Sequence, residues 1–244
     1  MSKKIFGMSF VLAGLLASGV AFAGTDAANG KKIFMEGKGA AAPCMSCHGE
    51  NGQGNDGMGA PRLANIGYAY IVKQLTDLAG DKRMPSGAGA VMPMFAKELN
   101  DQDRKDVAAY LSSIKAKPEL SNLAELKAGG QVVGEVRLGQ EIVNFGKGKV
   151  PACQSCHSYN GRGAEPMFPK IGQQKYVYLF NQLNNWRDAS RANDPAAMMR
   201  TVAKNLTDAD IANVAAYLAT APETTSGNSR VPDNEVVLKA VNKK

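Results

Sequence analysis

Apolar side chains recur at helical spacing in two similar stretches of the chain. The spacing is i, i+4, i+7 in the first stretch and i, i+3, i+7 in the second, which places the apolar groups on one face of a helix. The positions are Val107, Leu111 and Ile114 in one stretch and Ile211, Val214 and Leu218 in the other. Each stretch is therefore predicted to form an amphipathic helix that packs on a core.

Polar residues just before these stretches indicate where each helix begins. Thr207 is followed three residues later by Asp210, and Asn100 and Asp103 occupy the equivalent places, which is the pattern of a capping box. A middle helix is predicted over 70–78, with a counterpart over 178–186. The chain has no run of period-two alternation between hairpin turns, so a sheet is not expected. The pattern predicts an all-α protein.

The N-terminal 23 residues have the pattern of a secretory signal peptide. Lys3 and Lys4 precede an uncharged apolar run over 5–20, and Ala21-Phe22-Ala23 is a small-x-small cleavage site. The apolar run is shorter than the roughly 20 residues that span a bilayer. Export to the periplasm and cleavage before Gly24 are therefore expected.

The remaining sequence contains an internal repeat with an offset of 107 to 109 residues. Val107-Ala108-Ala109-Tyr110-Leu111 matches Val214-Ala215-Ala216-Tyr217-Leu218, and Gln74-Leu75 matches Gln182-Leu183. Two homologous domains are the simplest organisation. The predicted boundaries are a signal peptide over 1–23, an N-terminal domain over 24–117, a linker over 118–135, a C-terminal domain over 136–221 and a polar tail over 222–244.

All four cysteines and both histidines of the chain fall in two C-x-x-C-H motifs. The motifs are Cys44-Met45-Ser46-Cys47-His48 and Cys153-Gln154-Ser155-Cys156-His157. This pattern is typical of covalent haem c attachment. Two thiols one helical turn apart can add to the two vinyl groups of a porphyrin, and the adjoining imidazole can bind the iron. Two haem c groups, one in each domain, are therefore predicted.

Other uses of the cysteines fit the spacing less well. Exported proteins often contain disulfides, but these cysteines occur as C-x-x-C pairs. Zinc knuckles typically lie about 15–20 residues apart, whereas Cys44 and Cys153 are separated by more than a hundred residues. A thioredoxin-like dithiol would be expected near a βαβ pattern, and neither motif has one.

With His48 and His157 as proximal ligands, no histidine is left for the sixth iron position. Methionine is the natural candidate, because its soft thioether favours ferrous iron and raises the potential. Met92 lies seven residues before Leu99, and Met199 lies seven before Leu206, which makes them a matched pair across the repeat. Met94 is the main competitor of Met92.

Charge and one further motif bear on other classes of function. The whole chain has a net charge of +7, and residues 136–220 contain ten basic and six acidic groups. No cluster of five or more basic residues is present, so nucleic-acid binding is not expected. Residues 52–57 match G-x-G-x-x-G, but without a preceding strand the match does not indicate a nucleotide site.

The two motifs, the segment over 168–172 and the matched methionines resemble the dihaem cytochrome c4 family over nearly the whole mature chain. The resemblance implies two tandem class I cytochrome c domains, each wrapped around one covalently bound haem. It further implies a periplasmic electron carrier rather than an enzyme, with association with a membrane only through its partners. The donor would be a cytochrome bc complex or a dehydrogenase, and the acceptor a terminal oxidase. The alternative is a dihaem electron-accepting subunit of a periplasmic dehydrogenase, such as a sulfide-oxidising flavocytochrome. The residues implied to hold haem are Cys44, Cys47, His48, Met92, Cys153, Cys156, His157 and Met199, of which His48, Met92, His157 and Met199 would bind the iron.

Overall fold

The computed structural model of the protein describes residues 24–222. The predicted signal peptide and all but the first residue of the predicted tail lie outside that range. In the first half, the helices are α1 (Ala27–Glu36), α2 (Met45–His48), α3 (Tyr68–Ala79), α4 (Met92–Lys97) and α5 (Asp101–Ser113). In the second half, they are α6 (Leu123–Ala128), α7 (Val136–Phe145), α8 (Gln154–His157), α9 (Tyr176–Arg187), α10 (Met198–Ala203) and α11 (Asp208–Thr220). The described residues contain isolated β-bridges but no strand, which confirms the all-α prediction.

The two halves share one arrangement of helices. In the first, α1 and α3 both pack on α5, and in the second, α7 and α9 both pack on α11. Phe34 and Leu111 are among the buried residues of the first core, and Val143 and Ile211 are among those of the second. Each half therefore has its own hydrophobic core, as the sequence repeat predicted. No helix within 24–222 combines the length and hydropathy that a bilayer crossing requires.

Glycine allows the first and last helices of each half to cross in close contact. A Cβ added to Gly30 would lie 2.0 Å from the backbone oxygen of Asp106, and one added to Gly139 would lie 1.9 Å from that of Asn213. Real Cβ atoms do not approach backbone atoms so closely. The absence of a side chain at these two positions therefore sets the distance between α1 and α5 and between α7 and α11.

Gly139→Ala is expected to destabilise the second half by about 1–3 kcal/mol, because the methyl group would push α7 away from α11. Chemical denaturation of the holoprotein measures the free energy of unfolding. Gly129→Ala is the matched control, since a Cβ there meets its nearest atom at an ordinary 3.4 Å. Equal stability of the two variants would contradict this explanation of the helix crossing.

Both predicted capping boxes are present. The side chain of Asn100 accepts the backbone N–H of Asp103 at the start of α5, and Thr207 does the same for Asp210 at the start of α11. Each capping aspartate also accepts a hydrogen bond from a lysine of the loop after the first helix of its half. Lys38 Nζ lies 2.6 Å from Asp103 Oδ2, and Lys147 Nζ lies 2.7 Å from Asp210 Oδ1. The caps therefore tie that loop to the last helix.

The cap of α11 makes the stability of the second half depend on acid pH. Burial alone would raise the pKa of Asp210, but hydrogen bonds from Lys147 and Thr207 hold that pKa below its ordinary value. A depressed pKa in the folded state gives stability that is complete above the unfolded-state pKa, about 4, and is lost as the pH falls through the folded-state value. Asp210→Asn is therefore expected to lower stability at neutral pH and to weaken its fall in acid.

Urea unfolding measured at several values between neutral pH and about pH 3 checks this expectation. Glu141→Gln is the control, because Glu141 forms only an exposed ion pair with Arg137 on its own helix. A stability profile of Asp210→Asn parallel to that of the unaltered protein would contradict the role given to this carboxylate.

The segment predicted as a linker contains α6 and packs on the second half. Leu123, Leu126 and Val133 contact the second core. The backbone N–H of Tyr176 donates to Ser121 Oγ, and Tyr176 Oη donates to the carbonyl of Val132. These contacts help to start α9 at Tyr176, two residues earlier than the sequence pattern predicted.

Candidate haem sites

The two C-x-x-C-H motifs form matching short helices. Cys44 lies at the N-terminus of α2, and the backbone N–H of His48 donates to its carbonyl at 3.0 Å. Cys153 and His157 are related in the same way at α8, with a distance of 2.9 Å. The helical turn places both cysteines and the histidine of each motif on neighbouring positions. Burial raises the pKa of the Cys44 and Cys153 thiols to about 11.

The histidines of the two motifs are buried and identically oriented. His48 Nδ1 lies 2.9 Å from the carbonyl oxygen of Pro61, and His157 Nδ1 lies 2.9 Å from that of Pro169. Because a carbonyl oxygen only accepts, Nδ1 donates a proton and Nε2 keeps its lone pair. Burial lowers the pKa of both imidazoles, which favours this neutral form. Each ring can therefore bind a metal through Nε2.

A glycine-containing loop positions each of these carbonyl groups. Gly54 N donates to the carbonyl of His48, and Gly163 N donates to that of His157, both at 2.8 Å. A Cβ at Gly54 would lie 2.5 Å from the backbone nitrogen of Arg62. The G-x-G-x-x-G match over 52–57 thus belongs to the loop beside the proximal histidine, and its glycines permit close packing of the backbone.

The matched methionines lie on equivalent helices on the other side of each core. Met92 opens α4, which packs on α3, and Met199 lies in the first turn of α10, which packs on α9. Both are half-buried, whereas Met94 and Met198 are exposed, at 51% and 37%. Burial therefore favours the matched pair as the residues that face the interior.

A buried polar network joins the two halves, and the sequence analysis did not identify it. Its centre is two arginines that each bond to both halves. Arg83 Nη1 donates to Gln74, while its Nη2 donates to Tyr178 and Gln182. Arg191 donates through Nη1 to Gln182 and through Nη2 to Tyr70 and Gln74, and it lies 4.1 Å from the centre of the Trp186 ring. We call Arg83, Arg191 and these four partners, Tyr70, Gln74, Tyr178 and Gln182, the seam network.

The internal repeat contains the signal that would have revealed the arginines. Arg83 and Arg191 are separated by 108 residues, the same offset that relates Gln74 to Gln182. Burial alone would raise the pKa of Tyr178, but the two guanidinium groups lower it to about 8. The cluster therefore has an excess of positive charge at the contact between the halves.

The residues present fit two covalently attached haems. Each half supplies two unpaired thiols one helical turn apart, a buried imidazole with Nε2 available, and a half-buried methionine thioether across the core. Nitrogen and thioether ligands are the axial pair of low-spin cytochromes c. The cysteine pairs of the two halves stand on separate helices, which is unlike a four-thiolate zinc site.

Comparison with known proteins gives the same assignment for both halves. The family model for cytochrome c matches residues 27–115 and 137–222. The chain is 32% identical over 204 residues to the thiosulfate dehydrogenase electron acceptor of Stutzerimonas stutzeri strain A1501, covering 83% of this chain and 90% of the relative. It is 35% identical over 214 residues to cytochrome c4 of Azotobacter vinelandii, covering 82% and 91%.

Solved structures show that the fold is shared as well as the sequence. Reduced cytochrome c4 from Pseudomonas stutzeri matches with a TM-score of 0.62 and 31% identity, over 80% of this chain and 98% of that one. Thiosulfate dehydrogenase from Marichromatium purpuratum matches with a TM-score of 0.71 and 29% identity, over 80% of this chain but 40% of that longer chain. The chain therefore belongs to the cytochrome c family and, within it, to the dihaem cytochromes c4, electron carriers with two covalently attached haem c groups.

Proposed function

We propose that this protein is a periplasmic electron carrier with two six-coordinate haems, ligated by His48 and Met92 in the first half and by His157 and Met199 in the second. The four cysteines would attach the haems as thioethers. The observation that supports this most is the matched geometry of the two buried histidines, each with Nδ1 bonded to a proline carbonyl at 2.9 Å.

Haem iron supplies reversible one-electron chemistry when it is bound. The chain's own groups hold the ligands in place and exclude water. The carbonyl groups of Pro61 and Pro169 fix the tautomer and the ring orientation of the histidines, and second-shell bonds of this kind raise the basicity of an imidazole ligand. With both axial positions filled by the protein, no substrate would reach the iron. The proposed reaction is therefore outer-sphere electron transfer.

The contact between the halves would hold the two haems at a fixed separation. The seam network joins α3 and α9, and the main chain adds a bond from Lys170 N to Ile66 O at 3.1 Å. Asn193 of the second half further donates to Asp77 of the first at 2.7 Å. A rigid pair of centres would act as a short wire or as a two-electron store.

As to partners, we propose a cytochrome bc complex or a dehydrogenase as donor and a terminal oxidase as acceptor. The experiment is to mix the oxidised holoprotein with each donor, and the reduced holoprotein with oxidase-containing membranes, and to follow haem oxidation state by absorbance. Rapid reduction by a donor and reoxidation by the membranes would support the carrier. Failure of both half-reactions with a correctly assembled holoprotein would overturn it.

A second candidate function is electron acceptance from a thiosulfate-oxidising enzyme. The similarity to the Stutzerimonas stutzeri electron acceptor and to the solved thiosulfate dehydrogenase favours a dehydrogenase partner of this type over the sulfide-oxidising flavocytochrome suggested by the sequence. Thiosulfate with thiosulfate dehydrogenase should then reduce the haems, whereas thiosulfate alone should not. Co-purification with a catalytic subunit would favour the subunit, and recovery as a free protein would favour the carrier.

The charge of the second half leads to a prediction about association. Residues 136–220 contain ten basic and six acidic groups, so this half would attract an acidic partner. The association rate with the redox partner is expected to fall as ionic strength rises, because salt screens charges beyond about 10 Å at 0.1 M. Stopped-flow measurement of haem reduction over a range of salt concentrations checks this. A rate independent of salt would contradict a charge-guided encounter.

A further inference from the structure

A cavity of about 340 Å³ lies between the two halves, away from the cysteines, histidines and methionines of the proposed haem sites. Its wall includes four cationic side chains, those of Arg62, Lys115, Lys117 and Lys170, together with Asn65. None of the described residues that line it is acidic. We call this the basic cavity.

The base of the basic cavity is built from the two proximal loops. Arg62 follows Pro61, and Lys170 follows Pro169, so the two cations occupy equivalent positions in the repeat. Arg62 is 2% exposed, its Nη2 donates to the carbonyl of Gly172 at 3.0 Å, and its backbone N–H and carbonyl form a reciprocal pair with the side chain of Gln174 at 2.6 and 2.8 Å. The base is therefore held rigidly by contacts across the contact between the halves.

The rim of the basic cavity is supplied by the segment that follows α5. Lys115 and Lys117 are exposed and are followed by Pro118, which also lines the cavity. Two exposed lysines therefore stand over a buried arginine. Such a rim can exchange with solvent, whereas the base is preformed.

A ring of cations without a carboxylate is unfavourable by itself, because the charges repel and the buried guanidinium is partly removed from water. An oxyanion would relieve both costs, since its oxygens accept several charge-assisted hydrogen bonds and a guanidinium binds them in pairs. A water molecule occupies about 30 Å³ of the liquid, so the cavity has room for a tetrahedral oxyanion with several waters. We propose that the basic cavity binds a small divalent oxyanion of the sulfate or phosphate class, which bridges the two halves.

Calorimetric titration of the holoprotein with inorganic phosphate at low ionic strength tests this proposal. The expected result is saturable binding of one phosphate per chain, accompanied by a higher unfolding temperature. The double variant Lys115→Gln, Lys117→Gln should weaken binding by at least about tenfold, which corresponds to about 1.4 kcal/mol. The visible haem spectrum of this variant should be unchanged.

The double variant Lys31→Gln, Lys32→Gln is the matched control. It removes the same charge from adjoining exposed positions on α1, which are not part of the cavity wall. Phosphate should bind to it as to the unaltered protein. Absence of saturable binding, or equal weakening in the two double variants, would overturn the proposal and leave only general screening of a basic surface. These outcomes do not depend on which redox partner the protein uses.

Discussion

Replacement of Met199 by leucine is expected to open the sixth position of the second haem and to leave the first haem unchanged. The half-buried thioether would be lost, while a side chain of similar volume keeps the contact between α10 and α9. The potential of that haem should fall, since axial ligands set haem potentials over a range of about 0.8 V. Half of the weak charge-transfer absorbance from methionine to ferric iron should disappear, and the reduced variant should bind carbon monoxide at one haem per chain.

Met92→Leu should give the complementary result in the first half. Met94→Leu and Met198→Leu are the controls, because these neighbouring methionines are exposed. Retention of the full charge-transfer band in Met92→Leu together with its loss in Met94→Leu would transfer the ligand assignment to Met94. A full band in Met199→Leu would contradict the proposed ligand of the second haem.

Loss of the seam network is expected to have the second large effect. Arg191 is 6% exposed and donates hydrogen bonds to Tyr70, Gln74 and Gln182, so its removal strands buried polar groups in both halves. Breaking a buried charged network of this kind typically costs about 3–5 kcal/mol. In Arg191→Gln, the two halves should therefore unfold in separate transitions, whereas the unaltered protein should unfold in one.

Denaturant unfolding followed by haem absorbance and by far-ultraviolet circular dichroism measures this separation. Arg137→Gln is the matched control, because Arg137 is exposed and pairs only with Glu141 one turn along α7. Rotational correlation times of the two halves give an independent readout, since a broken seam would let them tumble separately. A single transition and common tumbling in Arg191→Gln would show that the seam network does not hold the halves together.

The parts of the structure that the sequence predicted are those set by local spacing. The two C-x-x-C-H motifs place thiols and imidazole within one helical turn, so the candidate ligands were evident before any fold was known. The capping boxes at Asn100 and Thr207 were equally visible, because a cap depends on residues three apart. The internal repeat then extended these local signals to a two-domain organisation.

The parts that the sequence did not predict depend on contacts between distant residues. Helix α6 lies in the predicted linker, and its apolar side chains are covered by the second core rather than by neighbours in sequence. Arg83 and Arg191 looked like ordinary surface cations until the fold placed α3 against α9. The basic cavity likewise brings Arg62 beside Lys170, more than a hundred residues away. Periodicity and motif spacing contain no information on such pairs, apart from the matched offset of the two arginines.

Potentiometric titration of the purified holoprotein, followed by its visible spectrum, tests the central claim most directly. Two haems with methionine and histidine ligands should accept two electrons per chain in one-electron steps, and the charge-transfer band of the ferric state should vanish as both steps proceed. The fully reduced protein should not bind carbon monoxide. Uptake of one electron per chain, or ready carbon monoxide binding by the unaltered protein, would contradict a dihaem carrier with both iron positions filled by the chain.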